Sequence, residues 1–178
     1  GAKTYDLLMP DGDYHGLPDC KSIKTPELMA AWLLEFSRLY FKRPQRFGVR
    51  LLDDILRGVL KHKNYMEVVK NDFPEIDLTV DTDGEIKLVD TLRVNRLGAD
   101  FAGGFHVSTE GFKSTLNSTQ VRSFLNQAKA LSDECLDCKY LSVCGGGYIQ
   151  HRWGNETYKN PSIYCSDYKR LFRTFESA

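Results

Sequence analysis

The chain has 178 residues, 42% hydrophobic and 12% aromatic, enough for a real core in one medium domain or two small ones. Its 24 basic and 24 acidic side chains cancel to a formal net charge of zero, which argues against a general nucleic-acid or membrane-surface binder. No apolar run reaches the roughly 18–20 residues of a membrane span, and no signal peptide opens the sequence. Five cysteines is an odd count, so a fully paired disulfide framework is excluded, and thiolate ligands in a reducing, cytoplasmic compartment are expected.

Residues 4–10, TYDLLMP, read as a strand centred on Leu7, Leu8 and Met9, with no partner nearby and a turn-rich DGDYHGLPDC after it. A lone strand beside a start without Met reads as an excised piece of a longer chain. Thr25 as N-cap and Pro26 at the first helical position predict a helix over 26–41. Leu28, Trp32, Phe36 and Leu39 recur there at helical spacing, Leu33 and Tyr40 widen the stripe, and Pro44 ends it. A second helix covers 49–62, with Leu51, Leu52, Ile55, Leu56, Val59 and Leu60 on its apolar side, and a shorter one is expected near 64–71.

From Ile76 the pattern alternates: IDLTV and EIKLVDTLRV flank an Asp83-Gly84 turn and predict a β-hairpin. Asp81, Asp83 and Glu85 mimic part of a calcium loop but lack its remaining spaced ligands and terminal Glu. The glycine-bearing connection 98–111 carries no phosphate-loop spacing. Ser118 caps a helix over 119–131, with Val121, Phe124, Leu125, Ala128 and Leu131 facing inward. A last helix is expected from Asn160 and Pro161 to about Phe175.

Chemistry concentrates in the last 44 residues. Cys135, Cys138 and Cys144 form C-x2-C-x5-C, and Cys165 follows after 20 residues. Three thiols close in sequence and one returned by the fold build a shell of four thiolates, suited to an iron–sulfur cluster or a structural zinc. Gly145, Gly146 and Gly147 follow Cys144 directly and let backbone N–H groups approach the metal core. Lys139, Arg152, Lys169 and Arg170 lie near the ligands in sequence and could offset negative charge, a solvated surface being the plainer reading of each. The spacing leaves cluster and zinc both open.

The stretch from Cys135 to Phe172 resembles the SPASM domain, the C-terminal cluster-binding extension of radical SAM enzymes, through Cys135, Cys138, Cys144, Gly145, Gly146, Arg152, Asn160, Pro161 and Cys165. The hairpin LTVDTDGEIKLVDTLRV is similar to that family's hairpin, and CGGGY-x-x-HR resembles the cluster loop of maturases of ribosomally made peptides, including the cyclophane-forming type. The resemblance implies an α+β fold: residues 1–20 as the remnant of a radical SAM barrel, 21–76 as a helical linker, and 77–178 as a SPASM-like iron–sulfur domain. It implies one [4Fe–4S] cluster on Cys135, Cys138, Cys144 and Cys165, with one zinc as the alternative, and a role in electron transfer or substrate binding. Tyr148 stands where many relatives carry a fourth closely spaced cysteine, so a second auxiliary cluster is not expected.

No C-x3-C-x2-C motif occurs, so this chain alone should be inactive; S-adenosylmethionine and its cluster would belong to a barrel elsewhere in the full-length enzyme. The implied partners are that barrel and a precursor peptide, with no nucleic acid and no membrane. The competing reading is a zinc-stabilised, non-catalytic peptide- or protein-binding module. His106 and His151 are candidate acid/base groups or ligands for which packing is the plainer role; Asp6, Asp11 and Asp13 could face the barrel, and Cys20 is a free thiol.

Overall fold

Two apolar stripes run along the first helix, α1 (Leu28–Phe41), and the narrower one makes the core. Ala30, Leu33, Ser37 and Tyr40 are buried, whereas Leu28, Trp32 and Leu39 are about half exposed. The stripe expected from sequence, led by Leu28, Trp32, Phe36 and Leu39, is therefore the outer one, where Trp32 and Phe36 stack at 5.5 Å. The small Ala30 and Ser37 let a partner helix come close, which large apolar side chains on the other stripe do not. The structure, a computed structural model, describes residues 3–22, 24, 26–43, 47–63, 78–88, 104–109 and 111–177. Thr25, Pro44, the helix expected near 64–71, the strand residues 76, 77 and 89–94, and 98–103 of the glycine-bearing connection lie outside these.

Thr4–Tyr5 forms β1, which pairs in parallel with β2 (Gly48–Val49), Thr4 opposite Gly48 and Tyr5 opposite Val49. The opening strand thus has a partner, and Leu7, Leu8 and Met9 lie beyond it in irregular chain. β2 feeds directly into α2 (Arg50–Lys61), which buries Leu52, Ile55, Gly58 and Val59 and leaves Leu60 exposed. A Cβ on Gly58 would sit 3.0 Å from Val143 Cγ1, so this glycine admits the cysteine-bearing segment against α2.

The hairpin forms as expected, with β3 (Leu78–Val80) antiparallel to β4 (Ile86–Leu88). Its acidic turn is neutralised from within: Lys87 Nζ lies 3.1 Å from Asp81 and 2.8 Å from Glu85, and Asp83 Oδ1 accepts the Glu85 N–H. The turn carboxylates therefore have internal partners. Helix α3 (Gly111–Asn117), which the sequence did not announce, precedes α4 (Thr119–Lys129). Ser118 caps α4 as predicted, its side chain accepting the Val121 N–H. Val121, Phe124 and Ala128 of α4 join Leu88, Ile149, Trp153 and Tyr158 in a second core.

The last helix, α7 (Cys165–Glu176), begins later than expected. Asn160 does not cap it; its side-chain amide instead donates to the carbonyls of Arg152, Gly154 and Thr157 and closes the preceding loop. Among the described residues there are seven α-helices and two two-stranded sheets, an α+β arrangement. α7 packs against both α1 and α2. Ala30, Leu33, Ile55, Val59, Leu171 and Phe172 fill the main core between them.

Asp167 locks this packing. Fully buried on α7, it accepts the Ala30 backbone N–H at 2.8 Å through Oδ1 and pairs with Lys21 Nζ at 2.6 Å through Oδ2. Helix α1 lacks a side-chain cap of its own at Glu27, so a residue 137 positions away satisfies one of its free N–H groups. Lys21 also donates to the Pro26 carbonyl, tying the chain before α1 to the same point. Replacing Asp167 with Ala would strand a buried ammonium and an uncapped helix end. We expect a loss of about 3–5 kcal/mol in chemical denaturation, against no measurable loss for Glu35→Ala, whose ion pair with Arg38 is exposed.

Candidate metal centre

Each cysteine is delivered by a short, locally specified element. Ser132 caps α5 (Asp133–Leu136) by accepting the Cys135 N–H at 3.2 Å, which fixes Cys135 in the first turn. Cys138 follows the end of that turn, and its carbonyl accepts from Leu141 at the start of α6 (Leu141–Cys144). Cys144 closes α6, and Gly145 ends it in the left-handed conformation. Cys165 is the first residue of α7, where free N–H groups and the helix dipole favour a thiolate.

The fold brings all four together. Cys135, Cys138, Cys144 and Cys165 line one narrow cavity of about 20 Å³ that opens to solvent, walled also by Leu141, Tyr168 and Phe172. None of them is in a disulfide. Among the described residues no three His, Cys, Asp or Glu side chains gather at single-ion spacing.

The glycine run shapes one wall. Gly146 and Gly147 have φ of +96° and +78°, and a Cβ on Gly146 would lie 2.5 Å from Leu131 Cδ2. Side chains at these positions would be strained by backbone and by space. The Gly146 backbone N–H faces the Cys144 sulfur and favours its thiolate. Burial outweighs that contact, and with the three other thiols it pushes Cys144 up to about 12. Burial also raises Cys165, against the opposing charge of Lys169. A metal core supplies the cationic charge that converts such thiols to ligands.

Arg152 departs most from expectation. It is 1% exposed, so the surface reading fails for it. Its guanidinium donates to the carbonyls of Ala128 at 3.0 Å, Ala130, and Asn160 at 3.3 Å, and its charge is felt at Cys135 and Cys144. This places a fixed buried cation beside the cysteine cavity, held by the C-terminal carbonyls of α4. The other three basic residues are surface pairs: Lys139 with Glu176, Lys169 with Glu134 and Arg170 with Glu27. Lys169 also lines the cavity.

The remaining candidates fall elsewhere. Cys20 Sγ lies 3.7 Å from Tyr164 Oη and does not line the cysteine cavity. Asp6 pairs with Arg50, Asp13 accepts the His15 and Gly16 N–H groups in a turn, and Asp11 accepts from Gln150. His106 bridges the hairpin turn and binds Ser108. His151 is 2% exposed, its ring 4.9 Å from that of Tyr164. Asp167 and Gln150 escaped the sequence reading. An acidic residue two positions past a cysteine, facing the core side of a helix, was the available signal for the first; nothing local marks the second.

The donor set fits a soft metal core. Four thiolates suit a tetrahedral zinc and an iron–sulfur cluster alike.

No protein-family model and no curated protein sequence matches the chain. Solved structures do match in fold. One is native anSMEcpe with bound AdoMet and Kp18Cys peptide, at 20% identity and TM-score 0.64, covering 94% of this chain and 44% of that one. Polyhistidine-tagged anSMEcpe with bound AdoMet gives 20% identity and TM-score 0.67, covering 94% and 42%. Native anSMEcpe with bound AdoMet and Cp18Cys peptide gives 22% and 0.63, covering 94% and 44%. The chain thus spans less than half the length of these neighbours. At this identity the likeness is one of fold.

Burial lowers His151 from its ordinary value to about 4, although the Pro10 carbonyl facing the ring favours the proton. The folded state therefore binds fewer protons than the unfolded one between about pH 6.5 and 4. The stability tied to neutral His151 is complete above pH 6.5 and lost as pH falls toward 4, about 3 kcal/mol in all. In denaturation midpoints measured across that window, His151→Gln should remove this part of the wild-type slope.

Proposed function

We propose that the chain is the C-terminal auxiliary-cluster domain of a radical SAM enzyme that modifies a ribosomally made peptide. Residues 77–178 form the cluster-bearing part, and Cys135, Cys138, Cys144 and Cys165 hold one [4Fe–4S] cluster. The carrying observation is the cavity lined by four unpaired thiols, with the buried Arg152 charge beside it. The fold shared with anSMEcpe supports the assignment to the SPASM type.

When bound, the cluster supplies one-electron redox chemistry or structural rigidity. The chain's own residues do the rest. Four thiolates complete the ligand shell and leave no site for direct substrate ligation, which favours electron transfer or structural support over substrate activation at iron. The Gly146 N–H and the helix start at Cys165 stabilise negative sulfur. Arg152 offsets the net negative charge of such a centre from a position where water does not screen it. Tyr168 and Phe172 cover one side of the cavity and limit access of water. Hydrogen abstraction belongs to the barrel of the full-length enzyme, which also holds S-adenosylmethionine.

The test is iron, sulfide and zinc content per chain after anaerobic purification and cluster reconstitution. About four irons and four sulfides are expected, falling to background in Cys135→Ser. Gly146→Ala should fold yet retain at most about half the iron, since backbone strain of about 1–3 kcal/mol falls on the cluster loop. One zinc without iron would replace this reading with the zinc-stabilised binding module.

A further inference from the structure

The fold buries Arg152 without an ion pair. The residue is 1% exposed, and no carboxylate among the described residues pairs with it. A guanidinium carries five N–H groups. Three are used: Nη1 donates to the Ala128 carbonyl at 3.0 Å, Nη2 to that of Ala130, and Nε to that of Asn160 at 3.3 Å. The other two, one on each terminal nitrogen, have no acceptor among the described residues. Buried donors left unmet cost free energy that a folded protein normally avoids.

Carbonyl acceptors alone do not call for a charge. Neutral amide donors meet carbonyls without the cost of desolvating a cation, which is high unless negative charge stands close. The guanidinium lies behind the wall of the cysteine cavity. Its Nη1 is 3.7 Å from the place a Cβ on Gly146 would take, and Gly146 lines that cavity with the four cysteines. Burial pushes the guanidinium below its ordinary range, and negative charge at Cys135, Cys144 and Tyr158 pushes it back. Thiolates at the cysteines supply both missing things, an acceptor and a counter-charge. They belong to this chain and are already inside it, so nothing has to enter from solvent to meet Arg152.

We propose that Arg152 sets the reduction potential of the centre held by the four cysteines, its unpaired charge and spare N–H groups favouring the more negative, reduced form. This rests on the cluster reading above and adds the residue that fixes how readily an electron enters. Potentials of such centres follow net charge and hydrogen bonds to sulfur. Lys169 lines the cavity too, but its side chain is 36% exposed and paired with Glu134, so solvent and carboxylate screen it. Arg152 is screened by neither. Reduction adds one electron and no proton at Arg152, which keeps its charge at any working pH. Arg152 thus acts on the centre through its field and its donors and does not itself react.

The experiment is a redox titration of the full chain after anaerobic reconstitution, with dithionite as electron donor and the paramagnetic resonance signal of the reduced centre as readout. Unsubstituted chain, Arg152→Gln and Arg152→Lys are compared, each after iron and sulfide are counted. Arg152→Gln should lower the ratio of reduced to oxidised centre at least about tenfold at a given solution potential, a midpoint about 59 mV lower. Arg152→Lys, which keeps the charge, should restore most of that. A merely structural Arg152 would lower iron content and leave the midpoint of the loaded fraction where it was. The proposal is overturned if the Arg152→Gln midpoint is unmoved, or if Arg152→Lys falls as far as Arg152→Gln. Should neither variant fold or hold iron, the unsubstituted chain labelled with guanidino-15N arginine decides. A 15N coupling in the reduced signal supports the proposal, and its absence overturns it. No iron in the unsubstituted chain sinks the cluster reading and this inference together; iron with an unmoved midpoint sinks this inference alone.

Discussion

Asp167 is the point on which the geometry of the cysteine cavity depends. One carboxylate oxygen holds the start of α1 and the other holds Lys21, both from inside the core. Because Asp167 lies two residues beyond Cys165, the same contacts fix the rotation and height of the helix that carries the distant thiol. A hydrophobic interface alone would tolerate small slides of α7 along α1 and α2; a buried ion pair with a main-chain hydrogen bond has one register. The long return from Cys144 to Cys165 thus ends at a defined place facing the short-range trio.

Charge is arranged in the same directional way. Lys139, Lys169 and Arg170 each already have a carboxylate within 3.3 Å, whereas Arg152 is held by carbonyl oxygens. Its positive charge is therefore not neutralised locally and is directed at Cys135 and Cys144. A buried guanidinium held this way is costly unless negative charge stands nearby. Cys144 and Cys165, pushed toward their neutral form by burial, and the uncompensated Arg152 are complementary: the thiols lack cationic charge to hold them as ligands, and Arg152 lacks a negative partner.

Much of this was legible in the sequence, for identifiable reasons. The cysteine spacing, the Ser118 cap and the Asp-Gly hairpin are local signals, and the structure keeps the last two while bringing the four cysteines to one cavity. The face of α1 was misread because Leu28, Trp32 and Leu39 outweigh Ala30 and Ser37 in hydrophobicity, while close helix packing selects for small side chains. Asn160 looked like a cap because Asn-Pro often opens a helix; here its amide finds three carbonyls first, and the helix waits for Cys165. Arg152 and Asp167 could not be assigned from sequence, since their burial is set by partners 22 to 146 residues away.

Tyr168 joins the two halves of the chemistry. It is 3% exposed, stacks on Phe172 at 6.0 Å, and forms wall to both the cysteine cavity and a second cleft lined by Leu7, Leu51 and His151. Burial and the nearby Cys144 and Asp167 hold its phenol well above the usual tyrosine range, so it stays neutral at any working pH. A neutral aromatic ring between two sites separates their solvent without separating them in distance.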